Sequence, residues 1–541
     1  MRNQKFLYKE AKLLCQIKMV LNCLLLMAFI LLFSIPVKAQ VLELEVDANK
    51  KFQVIDGFGA SDAWRCQFVG ANWPTAKKQQ MADWLFSQEL DANGNPKGIG
   101  LSLWRFYISA GTTEQGDDSD IKNEWRRGES FIDAAGNYDW SKQAGQQWFL
   151  RKAKDAGVEK YLAFSIAAPT FWSFNQKGYA ATKNGQMNLK PIFYEAYASF
   201  MVEVLKHFEA EGLPFDYLSP INEPQWDWEK PTQEGTPATN NNIAQLTRLL
   251  NAGIEEKKLG AKLVLAEAAD LRFLYSEHNK PERSEQIKEF YADTSRKIDT
   301  YIKDLSNVIP TVSGHSYFTT WPVQDLIQIR QKLNQELIQN NIDYWQSEFC
   351  ILEDSKDIGG GQNRDLGIAT ALYVARVIHA DLTLANAKSW QWWTAITIAD
   401  FKDGLIYLDT GNPEDMYNKT ALKTDGEFHD SKLLWALGNY SRFIRPGFQR
   451  IAASYNNSKS LEDQYQDLMI SAYKNPDTGD QVVVLINYAD ADQQIKINTS
   501  DTKFLHAYET SEDKNLEHRT LSSNHVTLAA RSITTLTNTN L

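Results

Sequence analysis

Two glutamates that lie far apart in the chain each follow a short apolar run. Glu223 comes after residues 215–221, and Glu348 comes after residues 342–347. β-branched and aromatic residues fill both runs without helical spacing, so both runs predict short buried strands. A strand that ends in a carboxylate holds an acid or a base in a fixed place. We therefore interpret Glu223 and Glu348 as carboxyl groups that face each other across a sugar-binding cleft and hydrolyse a glycosidic bond.

The residues around this pair predict different protonation states for the two glutamates. Hydrolysis with retained configuration needs two carboxyl groups about 5–5.5 Å apart, one protonated and one ionised. Trp226 and Trp228 follow Glu223, and their apolar bulk would hold a proton on its carboxyl group. Arg105, near the end of a predicted strand, would keep Glu348 ionised. This gives Glu223 the acid/base role and Glu348 the nucleophile role.

Three more polar residues are positioned to bind the sugar or the carboxylates. Asn222 would donate a hydrogen bond to the sugar 2-hydroxyl, a contact that strengthens in the transition state. His315 and Tyr317 lie on a later strand, where a donor to the nucleophile carboxylate is needed. For His315, Tyr317 and Arg105, the alternative is a structural role in the barrel mouth.

Tryptophan is abundant, with 16 residues, and its ring can stack on the apolar face of a sugar. The stacking candidates are Trp172, Trp226, Trp392 and Trp393, with Trp392 favoured on its strand, and Asp62 and Trp64 would reach the rim of the cleft. Strand alternation places Trp390 and Trp392 on one face and Trp393 on the other, so at most half of these rings can line a cleft. The alternative for each tryptophan is core packing, and for Asp62 it is a helix cap.

Eight apolar runs alternate with amphipathic stretches over more than 300 residues. The predicted strands are residues 52–58, 100–107, 160–166, 215–221, 262–266, 311–315, 343–347 and 388–394. Eight such units predict an α/β fold, a closed (β/α)8 TIM barrel whose active site lies at the C-terminal ends of the strands. Glu223 would end the fourth strand and Glu348 the seventh, on opposite sides of the mouth. The stretch 109–157 predicts a long loop besides a helix.

The helical period fades after residue 445, and short alternating runs separated by turn residues replace it. These runs, at residues 468–473, 481–487, 494–497, 504–508 and 532–536, predict an antiparallel β-sandwich. The strand predicted at 41–46 has no place in the barrel and is expected to pair with this module. The expected organisation is a signal peptide at 1–39, a sandwich strand at 40–50, a catalytic barrel at 51–440 and the C-terminal sandwich at 441–541.

The first 39 residues have the pattern of a secretory signal peptide. A basic start precedes an apolar run at 20–33, and Ala39 offers a cleavage site before Gln40. The alternative is a retained membrane anchor. The whole chain carries a formal charge of −11, and the leader has six Lys/Arg and one Asp/Glu, so the mature chain carries about −16. We expect a secreted, periplasmic or cell-surface protein that does not bind nucleic acid and is not inserted in a membrane after cleavage.

Metal and disulfide chemistry have little support in the sequence. Outside the leader only Cys66 and Cys350 remain, and no Cys/His spacing matches a metal site. The two thiols would pair only if the fold brought them together, and Cys350 reads as a small buried residue.

Four motifs together resemble glycoside hydrolase family 30. They are Asn222-Glu223-Pro224, Trp345-Gln346-Ser347-Glu348, Asp56-Gly57-Phe58-Gly59-Ala60 and Ala530-Arg531-Ser532-Ile533-Thr534-Thr535-Leu536. The resemblance covers nearly the whole mature chain. It implies a (β/α)8 barrel with a side β-sandwich, a retaining double displacement with Glu223 as acid/base and Glu348 as nucleophile, and no cofactor.

Within that family, the segments 59–64 and 222–228 are most similar to endo-β-1,6-galactanases. This implies arabinogalactan side chains as the substrate. β-1,6-Glucan, glucuronoxylan and exo-acting β-xylosidase or β-fucosidase chemistry remain alternatives, because these relatives share the same two glutamates. Inverting hydrolysis, transglycosylation and a non-catalytic carbohydrate-binding role are further alternatives; inversion would need carboxyl groups about 6.5–9.5 Å apart.

Overall fold

The structure is a computed structural model. It describes residues 14, 18, 19, 41–180, 183–293, 297–456, 458–499 and 502–539. The predicted signal peptide, apart from three isolated positions, and its cleavage site lie outside these residues. Residues 43–541 form one compact unit. Across the described residues, no helix combines the length and the apolar character needed to cross a membrane.

A closed barrel of eight parallel strands forms the centre of the larger unit. After a first strand, β1 (Leu42–Val54), the barrel strands in chain order are β2 (Gly57–Ser61), β3 (Leu103–Ile108), β4 (Lys160–Ser165), β5 (Tyr217–Ser219), β6 (Lys262–Ala268), β7 (Val308–His315), β8 (Asp343–Glu348) and β9 (Ser389–Trp392). Strand β9 pairs with β2 and closes the ring. The strands are buried almost throughout, as expected where helices cover the outer face. The predicted (β/α)8 barrel is confirmed.

Helices and loops between the strands surround the barrel. The α-helices are α1 (Cys66–Asn72), α2 (Thr75–Phe86), α3 (Thr112–Gln115), α4 (Ala144–Asp155), α5 (Tyr194–Ala210), α6 (Asn240–Lys257), α7 (Arg272–Tyr275), α8 (Gln286–Tyr291), α9 (Val323–Asn340), α10 (Ile368–Thr383), α11 (Lys432–Ser441) and α12 (Leu461–Gln464). Short 3₁₀ helices span Gly116–Ser119, Glu124–Arg126, Thr170–Trp172, Pro191–Phe193 and Ala421–Lys423. The loop predicted at 109–157 is present and contains α3, two of the 3₁₀ helices and α4.

The remaining strands form two further sheets. A three-stranded sheet contains β10 (Thr394–Thr397), β11 (Gly404–Asp409) and β12 (Glu427–Asp430). The C-terminal β-sandwich is built from β13 (Gln449–Tyr455), β14 (Leu468–Lys474), β15 (Gln481–Asn487), β16 (Gln493–Asn498), β17 (His506–Thr510), β18 (Glu517–Thr520), β19 (His525–Leu528) and β20 (Ser532–Thr537). Its strand order is β18-β17-β20-β15-β14-β13-β1-β16-β19. As predicted, the N-terminal strand joins the C-terminal sheet.

Two predicted barrel strands need correction. Residues 52–54 belong to β1 in the sandwich, and the first barrel strand begins only at Gly57. The backbone turns at Gly57, where φ is +147°. The single apolar run in the sequence therefore contributes residues to both the sandwich and the barrel. The run predicted at 388–394 is likewise divided, because β9 ends at Trp392 and β10 starts in the three-stranded sheet at Thr394.

Candidate active site

The two predicted glutamates lie in one cavity at the C-terminal end of the barrel. Glu223 follows β5 and Glu348 is the last residue of β8. Both line a cavity of about 650 Å³, and their exposures are only 7% and 3%. A carboxylate oxygen of Glu223 lies within 4.8 Å of one of Glu348, with His315 in the same cluster. The fold thus brings together two acids separated by 125 positions in the sequence.

The backbone around Glu223 holds its side chain in a fixed direction. Pro220 and Pro224 flank the segment, and a proline cannot continue the hydrogen-bond pattern of a strand. Glu223 itself has φ of 48°, in the left-handed region that non-glycine residues seldom occupy. Its amide donates to the Glu267 carbonyl at 3.0 Å, and Trp228 Nε1 donates to the Glu223 carbonyl at 3.1 Å. Such an unfavourable conformation is often found where a side chain must be aimed.

Both oxygens of Glu348 accept hydrogen bonds. Arg105, which is fully buried on β3, donates from Nη1 to Oε2 at 2.5 Å, and the Tyr317 hydroxyl donates to Oε1 at 3.0 Å. Arg105 Nη2 also donates to Asn222 Oδ1 at 3.0 Å. Burial works against the charge of Arg105, but Glu267 and Glu348 raise the pKa of its guanidinium above the usual range. The two donors hold the Glu348 carboxylate in a fixed orientation.

His315 connects the two glutamates to a third. Its Nδ1 lies 2.9 Å from Glu223 Oε1 and 3.7 Å from Glu348 Oε1, and its Nε2 lies 2.9 Å from Glu267 Oε2. Burial alone would lower the pKa of His315, but Glu348, Glu223 and Glu267 together raise it to about 10. The ring is therefore a cation at neutral pH, and both nitrogens donate.

The pKa of Glu223 is raised. Burial is the largest influence and raises the pKa of its carboxyl group above the usual value. The hydrogen bond from His315 opposes this shift, while the negative charge of Glu348 adds to it. A carboxyl group with a raised pKa beside an ionised one is the pattern of a general acid paired with a nucleophile.

Glu267, near the end of β6, is a residue of the site that was not predicted from the sequence. This fully buried carboxylate accepts hydrogen bonds from Arg105, His315 and Ser347 at 2.9–3.1 Å. Burial would raise its pKa, but Arg105 and His315 lower it to about 2. Its backbone φ of 42° coincides with an irregular register between β6 and β7, which turns the side chain inward. The signal that could have found it is the one used for the other two glutamates, an acid after a buried apolar run.

Two of the four tryptophans proposed for stacking, Trp226 and Trp393, line the cavity. Trp226 packs edge-on against Phe318, with ring centroids 6.0 Å apart. Trp392 is fully buried, and its Nε1 donates to the Asp403 carbonyl at 2.8 Å, so a stacking role does not fit its position. Trp393 lines the cavity in its place. The predicted alternation along β9 holds, but Trp390 and Trp392 form the face that points away from the cavity.

Three other predicted residues lie outside the cavity lining. Trp172 packs against aromatic rings of α5 and its neighbourhood, including Phe200. Trp64 is buried and supports Trp393 edge-on, with centroids 5.3 Å apart. Asp62 is also fully buried, and its Oδ1 accepts a hydrogen bond from the Tyr107 amide at 2.9 Å. Direct sugar contact does not fit the buried positions of Trp64 and Asp62, and Trp172, which is half-buried, lies outside the lining of this cavity.

The cluster of Glu223, His315 and Glu348 has the composition of a metal site, but its polar atoms already contact one another and neighbouring side chains. His315 contacts Glu223 and Glu267 through its two ring nitrogens, and Arg105 donates to Glu348. The arrangement suits proton transfer and nucleophilic attack instead. Cys66 and Cys350 are both buried free thiols; Cys350 Sγ lies 3.8 Å from the Tyr317 hydroxyl.

Comparison with known proteins agrees with this geometry. A model described as O-Glycosyl hydrolase family 30 matches residues 41–407, and one described as Glycosyl hydrolase family 30 beta sandwich domain matches residues 447–536. An endo-β-1,6-galactanase from Hypocrea rufa is 22% identical over 386 residues, which cover 68% of this chain and 70% of the galactanase.

Solved structures agree as well. A conserved exported protein from Bacteroides fragilis is 34% identical, with a TM-score of 0.86, and the match covers 92% of this chain and 100% of that chain. The catalytic domain of GH30 xylanase C from Talaromyces cellulolyticus is similar in fold, with 21% identity, a TM-score of 0.63 and coverage of 92% and 100%. The protein belongs to O-glycosyl hydrolase family 30, a family of glycoside hydrolases.

Proposed function

We propose that this enzyme hydrolyses its glycan by double displacement with retained configuration at the anomeric carbon. The observation that carries the proposal is that Glu223 and Glu348 present carboxylate oxygens within 4.8 Å of each other in one cavity. This spacing suits direct attack by one carboxylate, since inverting enzymes keep the groups about 6.5–9.5 Å apart to hold a water between them.

In the first step, Glu348 attacks the anomeric carbon while Glu223 gives its proton to the leaving oxygen. Arg105 and Tyr317 keep the attacking carboxylate ionised and oriented. The glycosidic bond breaks, and a sugar ester of Glu348 forms. Asn222, which lines the cavity and is fixed by Arg105, is the proposed contact to the sugar 2-hydroxyl.

In the second step, Glu223 acts as a base. Its carboxylate takes a proton from water, the water oxygen attacks the anomeric carbon, and Glu348 leaves as a carboxylate. His315 donates to Glu223 and therefore stabilises the ionised form that this step requires. Glu267 fixes His315 and Arg105 at once, so we assign it a positioning role.

For the substrate, we propose β-1,6-galactosyl linkages in arabinogalactan side chains. The support is the likeness of segments 59–64 and 222–228 to endo-β-1,6-galactanases, together with the curated relative from Hypocrea rufa. The second candidate is another β-glycan, cut by the same two glutamates. Purified enzyme should be incubated with de-arabinosylated arabinogalactan, β-1,6-glucan and glucuronoxylan side by side. We expect short β-1,6-galacto-oligosaccharides; products from the glucan or the xylan alone would replace this proposal with the second candidate.

We further propose that the mature enzyme is secreted, periplasmic or at the cell surface. The basic start, the apolar run at 20–33 and Ala39 support this, as does the likeness to a solved protein that is described as exported. N-terminal sequencing of the enzyme from the producing cells should begin at Gln40. An uncleaved leader in a membrane fraction would contradict cleavage.

A further inference from the structure

A pair of arginines lines the same cavity as the two glutamates. Arg65 comes directly before α1, and Arg126 ends a 3₁₀ helix in the long loop after β3. Both guanidinium groups lie near the ring of Trp64, at 5.6 and 5.9 Å from its centroid. Two cations from separate loops therefore lie near one aromatic ring beside the candidate active site.

The charge of this pair is only partly balanced within the described residues. Arg65, 3% exposed, donates from Nη2 to Asp403 Oδ2 at 3.2 Å, and its Nε and Nη1 have no hydrogen-bond partner. Arg126 makes no ion pair in the same part of the chain, and its bond to Gln233 is long, at 3.4 Å. Burial and the charge of Arg65 lower the pKa of Arg126. Among the described residues, Asp403 is therefore the one carboxylate that forms an ion pair with either arginine.

Such an arrangement is costly unless an anion completes it. A buried polar group without a partner costs free energy, and a buried charge without a counterion costs more. Arginine is also the residue best suited to bind a carboxylate or a sulfate, because its planar N–H groups match two oxygens at once.

We propose that Arg65 and Arg126 form a subsite for an anionic group on the sugar substrate, the carboxylate of a uronic acid or a sulfate ester. Among the described residues Asp403 pairs only with Arg65, and Arg126, which lines the cavity without an ion pair there, is the cation expected to bind such a group. The subsite rests on the proposed glycosidase function, because it selects among sugars bound beside the two glutamates. It predicts that charged branches are preferred over neutral ones.

Binding to an inactive enzyme tests the subsite independently of turnover. The probes are β-1,6-galactobiose, the same disaccharide carrying a terminal β-glucuronate, and the same disaccharide carrying a sulfate ester. Each is titrated by calorimetry into Glu348→Gln alone and with Arg126→Gln, Arg126→Lys or the control Arg151→Gln. Arg151 lies on the surface of α4 and pairs with Glu211, so its loss removes an arginine charge outside the cavity.

We expect one anionic probe to bind about 10- to 100-fold more tightly than the neutral disaccharide, as charge-assisted hydrogen bonds allow. Arg126→Gln should abolish this preference, Arg126→Lys should keep part of it, and Arg151→Gln should leave it unchanged. Which anionic probe is preferred distinguishes a uronate from a sulfate. Equal binding of all three probes, or a preference that survives Arg126→Gln, would overturn the subsite. Failure of the proposed function would appear separately, as absence of turnover of every polymer by the wild-type enzyme.

Discussion

At the scale of single residues, the site gives different properties to two glutamates of the same chemical type. Glu348 accepts hydrogen bonds on both oxygens from Arg105 and Tyr317, whereas Glu223 is buried and carries a raised pKa. Glu267 neutralises much of the remaining positive charge of Arg105 and His315. The assignment of acid and nucleophile therefore follows from the contacts and not from the order of the residues in the chain.

The first prediction concerns loss of each carboxyl group. Glu348→Gln should lower kcat by more than about 10,000-fold, because the nucleophile is removed. Glu223→Gln should lower kcat by about 100- to 10,000-fold on natural glycans, the usual contribution of a general acid. On a dinitrophenyl glycoside, whose leaving group needs no proton, Glu223→Gln should still form the sugar ester, and azide should restore turnover.

The matched control for these substitutions is Glu203→Gln on the surface of α5, which pairs only with Lys206 and should keep wild-type kinetics. Steady-state and burst kinetics of the three variants give the comparison. If Glu223→Gln and Glu348→Gln responded alike to the activated substrate and to azide, the division of roles would be wrong.

The second prediction concerns pH. Activity requires protonated Glu223 in the first step, so kcat/KM should fall at alkaline pH as this carboxyl group loses its proton. His315 donates to Glu223 and lowers its pKa, so His315→Gln should raise that pKa. The alkaline limb of the kcat/KM profile should therefore move to higher pH, whatever the change in the maximum rate. An unchanged limb, or one moved to lower pH, would show that His315 does not act on the acid.

The catalytic residues were predicted from the sequence more accurately than the residues that line the cavity around them. Glu223, Glu348 and Arg105 were identified because each is a charged residue at the end of an apolar strand, and the structure brings all three together. Of the two rings, Trp392 was favoured over Trp393, since alternation gives two faces but does not say which one points inward. Glu267 also follows a predicted apolar run, residues 262–266, but its direction into the site depends on the irregular register between β6 and β7, which leaves no signal in the sequence.

At the scale of elements, the loop after β5 depends on one buried acid. Glu234 is fully buried and accepts hydrogen bonds from the Tyr107 hydroxyl, from Ser109 Oγ at 3.0 Å and from the Ala110 amide at 2.9 Å. These donors belong to the end of β3 and the segment after it, so the hydrogen bonds of Glu234 anchor the loop that carries Trp226 to the neighbouring strand. This anchor holds the part of the cavity wall that contains Trp226.

The third prediction follows from this anchor. Glu234→Ala should leave several buried donors without an acceptor and lower the free energy of unfolding by roughly 1–3 kcal/mol. The loop carrying Trp226 should loosen, so KM should rise more than kcat falls. Thermal unfolding and steady-state kinetics measure the two effects. Glu229→Gln, in the same loop but in a surface pair with Lys183, is the control and should change neither. A variant of Glu234 with unaltered KM would show that the loop does not need this anchor.

The number and order of the strands followed from hydrophobic periodicity, but their boundaries did not. Eight barrel runs were recognisable because strands that are buried on both faces read as apolar runs. The junction between β1 and β2 was not, because only Ile55 and Asp56 separate the sandwich strand from the barrel strand and the change of direction lies in the φ of Gly57. A backbone angle of this kind leaves no periodic signal.

At the scale of the whole molecule, the sandwich joins the two ends of the described fold. Strand β1 lies between β13 and β16, so it is an inner strand and not an added edge. Helix α11 connects the two parts, since Asn439 on it is fully buried and donates to the Tyr508 carbonyl and to Thr535 Oγ1 in the sandwich. We propose domain boundaries near residues 55 and 440, because β1 extends the sandwich to Val54 and the barrel begins at Gly57, and we propose that the barrel depends on the sandwich for stability.

The fourth prediction tests this dependence. Leu44 is fully buried in β1, and Leu44→Ala should lower the free energy of unfolding by about 2–5 kcal/mol. If barrel and sandwich unfold together, activity and the circular dichroism signal should be lost at the same lowered temperature. Glu45→Ala, on the exposed face of the same strand, should leave both temperatures unchanged. Activity that persisted above the melting of the sandwich would show two independent domains.

The stereochemistry of hydrolysis distinguishes double displacement from single displacement, because it reports whether a carboxylate or a water attacks the anomeric carbon first. Proton NMR should follow a β-linked substrate from the first minutes of reaction, before the product mutarotates. The spacing of Glu223 and Glu348 predicts that the β-anomer of the product accumulates first and the α-anomer appears only later by mutarotation. Initial accumulation of the α-anomer would mean a single displacement by water and would contradict double displacement through Glu348.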